Sequence, residues 1–266
     1  MSGITVKKNY HTYPRMGYCI YCGTTKGALS KEHIVPYALN GNLVLPDASC
    51  EKCSAITKKY EDTCLRVMLK PLRTRLGMQS RRPKQEYIDM EFVNQEGRRE
   101  TLPVHHKDFP VPAYGICLPI AGIICGQAPS DLFSAKISFG FNRGEPERFV
   151  SKQPVRAVRV GYINVPAFMR MLAKIGYSYA AAEIGTSSLH PMLIDLVLAR
   201  APNSEYLSYL VGGEGEDVEQ TPKMNNTNRI NIWEYTVKNV VYTVVKIQLI
   251  GFLRKHKYYV VVRQKV

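Results

Sequence analysis

Two Cys-x-x-Cys pairs, Cys19 with Cys22 and Cys50 with Cys53, stand 27 residues apart, and no other feature restricts the fold of this chain so tightly. Each pair can close one knuckle. Four thiolates at about 2.3 Å from a tetrahedral Zn²⁺ would clamp the segment between the pairs to whatever follows the second pair. Such a zinc has no open position and is structural. A redox dithiol and four unrelated buried thiols are the competing readings, but two pairs flanking one hairpin suit a metal better than a dithiol cycle. Cys64, Cys117 and Cys125 read as buried thiols.

The segment between the pairs, KEHIV and then NLVL, reads as two short strands around Ala38-Leu39-Asn40-Gly41, whose Asn-Gly pair is a hairpin signal. A helix over about Cys50 to Lys70 is predicted next, capped by Asp47 or Ser49, with Ile56, Tyr60, Cys64, Val67 and Met68 on one face. The chain carries a net charge of +14, and residues 1–85 hold 15 Lys and Arg against 5 Asp and Glu, an excess of +10. A basic surplus concentrated beside the cysteines points to a polyanionic partner, nucleic acid before any other.

Composition breaks at LGMQSRRPKQE, residues 76–86, which divides the chain into a domain of residues 1–85 and a larger one of residues 86–266. The larger part reads as mixed α+β. YIDMEFVNQ and RETLPVH form a predicted hairpin, and the Pro-rich stretch 109–129 should be irregular or edge structure. A helix is expected from Val165 to about Ile184, with Phe168, Leu172, Ile175, Tyr179 and Ala182 as its core face. Two or three Val-, Ile- and Tyr-rich strands should close the chain. Residues 211–228 look like a polar, mobile loop whose glycines lack the Lys-Ser/Thr of a phosphate loop. No run approaches the ~18 apolar residues of a membrane span. The first residues lack the apolar core of a secretory signal, so a cytoplasmic protein is expected.

The stretch from Cys19 to Asp62, with Cys-x-x-Cys, then KEHIVP, then ASCEKC in that order, resembles HNH endonucleases of the zinc-clipped type, which share the ββα-metal fold. The likeness covers 44 of 266 residues. It implies a nuclease that hydrolyses phosphodiester bonds in DNA. His33 matches the family's general base, and Glu32, the acid before it, matches a ligand of a catalytic Mg²⁺ or Mn²⁺ distinct from the structural zinc. Adjacent strand residues point to opposite faces, so a bend or bulge near Ile34 is predicted to reconcile Glu32 with His33.

The chain departs from the family pattern after the last cysteine, where Ser54 stands in place of an Asn or His ligand. Glu61, two helical turns further along the same face, is the expected second carboxylate, with Asp62 as its fallback. The middle residue of the motif is Asn42 or Asp47. Lys52, Lys58, Lys59, Arg66, Lys70, Arg73 and Arg75 lie on or after the helix and are candidates for phosphate contacts. The alternative function is a non-catalytic zinc-ribbon module that holds nucleic acid within a larger complex. A third is a metal-stabilised interaction protein indifferent to nucleic acid. The second domain would target, recognise or dimerise, since a double-strand break needs a homodimer or two encounters.

Overall fold

The stretch between the cysteine pairs forms two strands of a three-stranded sheet, in which β3 (Leu43–Cys50) lies between the parallel β1 (His11–Thr12) and the antiparallel β2 (Leu29–His33). The computed structural model describes residues 10–80, 86–106, 108, 112–141, 155–158, 162–214, 228–249 and 256–265. The tight Asn-Gly hairpin turn does not form. A single 3₁₀ turn, Tyr37–Leu39, intervenes, followed by Asn40 in the left-handed region at φ 59°. Gly41 is required next, because a Cβ there would lie 1.9 Å from the Val35 carbonyl oxygen. The Asn40 side chain accepts a bond from the Gln79 amide at 3.2 Å, which ties this connection to the chain beyond the helices. The chain bends at Ile34 and Val35, and the β2–β3 register is also interrupted earlier, between Ser30 and Glu32.

Helix α1 (Glu51–Asp62) starts directly after Cys50. Asp47 and Ser49 do not cap it; both belong to β3, where Asp47 takes φ 49°. The single helix expected to Lys70 is broken by a π-helical turn, Thr63–Met68, before α2 (Lys70–Arg75). The Leu69 amide reaches back five residues to the Cys64 carbonyl at 2.7 Å, and this wider turn rotates the following side chains away from a 3.6-residue stripe. Tyr60, Cys64 and Met68 are accordingly buried, while Val67 is 49% exposed.

Beyond residue 85 the α+β expectation holds. Strands β4 (Tyr87–Asn94) and β5 (Arg99–His105) form the anticipated hairpin, extended by β8 (Val155–Val158). Strands β6 (Pro112–Cys117) and β7 (Lys136–Phe141) pair separately, the edge structure expected of the Pro-rich stretch. Helix α3 (Val165–Ile184) has the predicted bounds; its Asn164 cap accepts from the Ala167 amide at 2.9 Å. Helices α4 (Pro191–Leu198) and α5 (Leu207–Leu210) lead into an antiparallel sheet of order β10 (Arg229–Val237), β11 (Val240–Gln248), β12 (Tyr258–Lys265), β9 (Val211–Gly213). The expected polar loop thus begins as a buried strand, and residues 215–227 lie outside the described residues.

Helix α3 is central. It packs on β11 and β12 and on α1 and α4. At Gly176 a Cβ would stand 2.6 Å from the Val260 Cβ, so the helix lies close against the sheet. Tyr177 from the same helix donates to the Ile20 carbonyl at 2.6 Å and stacks on Tyr21. One hydrophobic cluster runs from Cys19 to Val262, so the compositional break does not separate two cores. Among the described residues no helix is long and apolar enough to cross a membrane.

Candidate metal centre and carboxylate site

Cys19 and Cys22 sit in a tight knuckle closed by bonds from the Cys19 amide to the Thr24 carbonyl and from the Gly23 amide to the Cys19 carbonyl, both 2.8 Å. Cys50 ends β3 and Cys53 lies in the first turn of α1. All four sulfurs fall within 4.8 Å of one another, with Cys22 and Cys50 Sγ 3.7 Å apart. Tetrahedral zinc with bonds of about 2.3 Å places its sulfurs about 3.8 Å apart, so the donor set fits zinc. Bound there, zinc would supply a closed structural tie between knuckle, strand and helix. Burial pushes the Cys19 and Cys53 thiols up. Burial also opposes ionisation of Cys50, but hydrogen bonds from the Cys53 amide and the neighbouring thiols outweigh it and bring the pKa down to about 7. Of the other cysteines, Cys64 and Cys117 are buried as expected, whereas Cys125 is exposed.

Glu32 on β2 and Glu61 on α1 also come together, as the sequence led us to expect, but what lies between them is an ammonium. Lys174, in the middle of α3 and 1% exposed, forms ion pairs with Glu32 and, at 3.0 Å, with Glu61, and donates to the main-chain oxygen of His33 at 2.6 Å. Burial raises the Glu32 pKa; the Glu61 charge adds to this and the Lys174 attraction only partly offsets it. Burial works against the charged form of Lys174 too, yet the two carboxylates outweigh it and hold its pKa well above the ordinary lysine range. We therefore read Lys174 as a charged ammonium.

The expected coordination of Mg²⁺ or Mn²⁺ by Glu32 and Glu61 must be corrected. Such an ion needs these oxygens at roughly 2.0–2.2 Å, and the ammonium already stands among them, so a divalent ion does not fit beside Lys174. Asp62 is elsewhere, in an exposed pair with Arg66 at 2.9 Å. The Ser54 hydroxyl donates to the Glu51 carbonyl at 2.9 Å, within its own helix. Asn42 is exposed, and Asp47 pairs with Arg15 at 3.4 Å. His33 ends β2 half-buried, with the rings of Tyr10 and Tyr37 edge-on at 6.5 and 5.8 Å.

Lys174 is the residue the sequence reading missed. Within VPAFMRMLAKIGYSYAAAEI a lysine passes for a solvated interruption of an apolar face. The available signal was that α3 is apolar on nearly every side, so a cation inside it must meet an acid from another element.

The phosphate candidates divide. Lys52, Lys58, Lys59 and Arg66 are exposed along α1 and the turn after it, and Lys70 is half-buried at the start of α2. Arg73 is not available: Nε donates to Ala38 O at 2.7 Å, Nη1 to Leu65 O at 2.6 Å and Nη2 to Gln79 O at 3.2 Å. It is a structural tie that satisfies carbonyls around the π turn. Lys59 lines an open groove of about 820 Å³ together with Tyr60, Phe133, Tyr162, Asn164 and Arg170. Tyr162 is 61% and Phe133 40% exposed.

No family model matches the chain, and neither a curated protein nor a solved structure matches it.

Proposed function

We propose that this chain acts on DNA as a zinc-anchored phosphodiester hydrolase of the HNH type, with His33 taking a proton from the attacking water. The observation that carries this reading is the meeting of Glu32 and Glu61. A strand residue and a helix residue, far apart in sequence, bring their carboxylates to one point beside the main chain of His33. Burying two acids together is costly, and a fold that needed only a zinc clip has no use for it. An imidazole is the side chain best suited to accept a proton near neutral pH. Lys58, Lys59 and Arg66, exposed along α1 and the turn after it, would meet phosphates. The adjoining groove adds the exposed rings of Tyr162 and Phe133, faces on which bases can stack. No step is assigned to a divalent ion at the carboxylates.

A second reading draws on Lys174 itself. An ammonium closed in between the acids suits a module that holds nucleic acid without cutting it. Supercoiled plasmid separates the two. The wild type, given Mg²⁺ or Mn²⁺, should produce nicked circles, and His33→Ala should keep salt-sensitive DNA binding and lose the nicking. Equal nicking by the variant removes His33 from the mechanism. Binding with no nicking by the wild type selects the holding module, and absence of salt-sensitive retention rejects both.

A further inference from the structure

We infer that the Glu32 carboxylate, the Glu61 carboxylate and the His33 carbonyl form a single cation seat, and that Lys174 is a tethered competitor holding it against divalent ions. The inference does not require that the chain cut nucleic acid.

Three observations carry it. The oxygens come from β2, from α1 and from the main chain, and all lie within ion-pair or hydrogen-bond reach of one nitrogen, so the site is already a cation site with an occupant. Two carboxylates, that of Glu32 buried and that of Glu61 partly exposed, face the one ammonium. A lysine recruited only to tie helices together would need one acid; a divalent ion would neutralise both. Finally, Tyr60, 7% exposed, has no hydrogen-bond partner for its hydroxyl among the described residues. It precedes Glu61 in α1, and its ionisation is opposed first by burial and then by the charges of Glu61 and Glu32, with Arg170 acting the other way. A buried phenol oxygen left over beside two acids is what a site built for more than one ammonium would contain.

Lys174 keeps the seat through tethering rather than through a better charge match. A side chain fixed on a packed helix acts at an effective concentration in the millimolar range or above. A free divalent ion must exceed that, and must also push a buried chain out of a packed helix face.

The test uses the full, zinc-loaded chain and Mn²⁺ alone, followed by electron paramagnetic resonance of the free ion. The wild type should leave Mn²⁺ unbound to about millimolar concentration, and Lys174→Met should bind it about tenfold tighter or more. Adding Glu32→Gln to that variant should abolish the binding. Lys174→Gln, which retains a hydrogen-bonding side chain, serves if the methionine variant does not fold. The wild type supplies an independent readout: the nitrogen-15 signal of its protected lysine ammonium should keep its position as Mg²⁺ rises to about millimolar. Two results would overturn the inference. One is Mn²⁺ affinity unchanged by loss of the lysine. The other is a wild-type ammonium signal that moves at micromolar Mg²⁺. Plasmid nicking by His33→Ala reports on the hydrolase reading alone and leaves this titration unaffected.

Discussion

The thiol cluster and the carboxylate cluster sit on the same strand pair and the same helix, yet they obtain their cations in opposite ways. The four cysteines arrive as two local pairs, each closed by a knuckle or a first helical turn, with Cys22 at the surface. An ion bound there would come from solution and would add to the backbone bond from the Ile20 amide to the Ala48 carbonyl, 2.9 Å, that already joins knuckle and strand. The carboxylates take their cation from the protein itself, on a helix whose Lys174 is 141 residues from His33 in sequence. One cluster could therefore add a metal tie to the fold, whereas the other is closed by the docking of α3.

The sharpest way to break this comparison is to remove the metal. Cys50→Ser, or a strong chelator, should unfold the first 80 or so residues, because structural zinc contributes on the order of 10 kcal/mol in small zinc modules. Circular dichroism and elemental zinc content should fall together. The comparison fails if the fold survives without metal.

Removing the internal cation comes next. Lys174→Met should cost about 3–5 kcal/mol at neutral pH by stranding the buried Glu32 and the partly buried Glu61, measured by urea denaturation. Replacing Glu32, Glu61 and Lys174 together by Leu, Leu and Met should recover most of that loss. The pH dependence has a definite sign. The folded-state pKa of Glu32 is raised, so its contribution is present below the ordinary carboxylate range and lost as pH rises through the folded value. Without the ammonium the Glu32 carboxyl should be raised further, and Lys174→Met should gain stability relative to wild type between about pH 7 and pH 5. In the wild type the raised pKa of Lys174 keeps its own contribution intact until strongly alkaline pH.

A smaller effect tests how α3 joins the two clusters. Tyr177→Phe leaves the buried Ile20 carbonyl without its 2.6 Å donor and should cost about 1–3 kcal/mol in chemical denaturation. The smallest is Arg66→Ala. Its ion pair with Asp62 is exposed, so stability should change by less than about 0.5 kcal/mol. DNA retention should nevertheless weaken, with a salt slope shallower by about one ion. Arg73→Ala should behave in the reverse manner, losing stability through its three carbonyl bonds.

What could be read from the chain follows contact range. The cysteine cluster, the strands on either side of Ile34 and the bounds of α3 were legible because each rests on residues within a few turns of one another. Glu61 was singled out by helical phase from Ser54, and it lies within α1, ahead of the π turn that begins at Thr63. The same phase failed for Val67 beyond that turn. Asp47 and Ser49 were misread as caps because β3 runs straight into the helix, with Ser49 paired to Ser30 of β2.

By itself the sequence determined that two cysteine pairs must meet around a strand pair, that an apolar 20-residue helix follows later, and that the basic surplus gathers near the cysteines. Only the tertiary structure decided that Arg73 is committed to carbonyls and that Lys174, not a solvent ion, stands between Glu32 and Glu61. The reason is physical. Spacing along a helix or strand fixes neighbours through backbone geometry, whereas a buried charge finds its partner only when packing removes water from both, and no local pattern records which distant surfaces will meet.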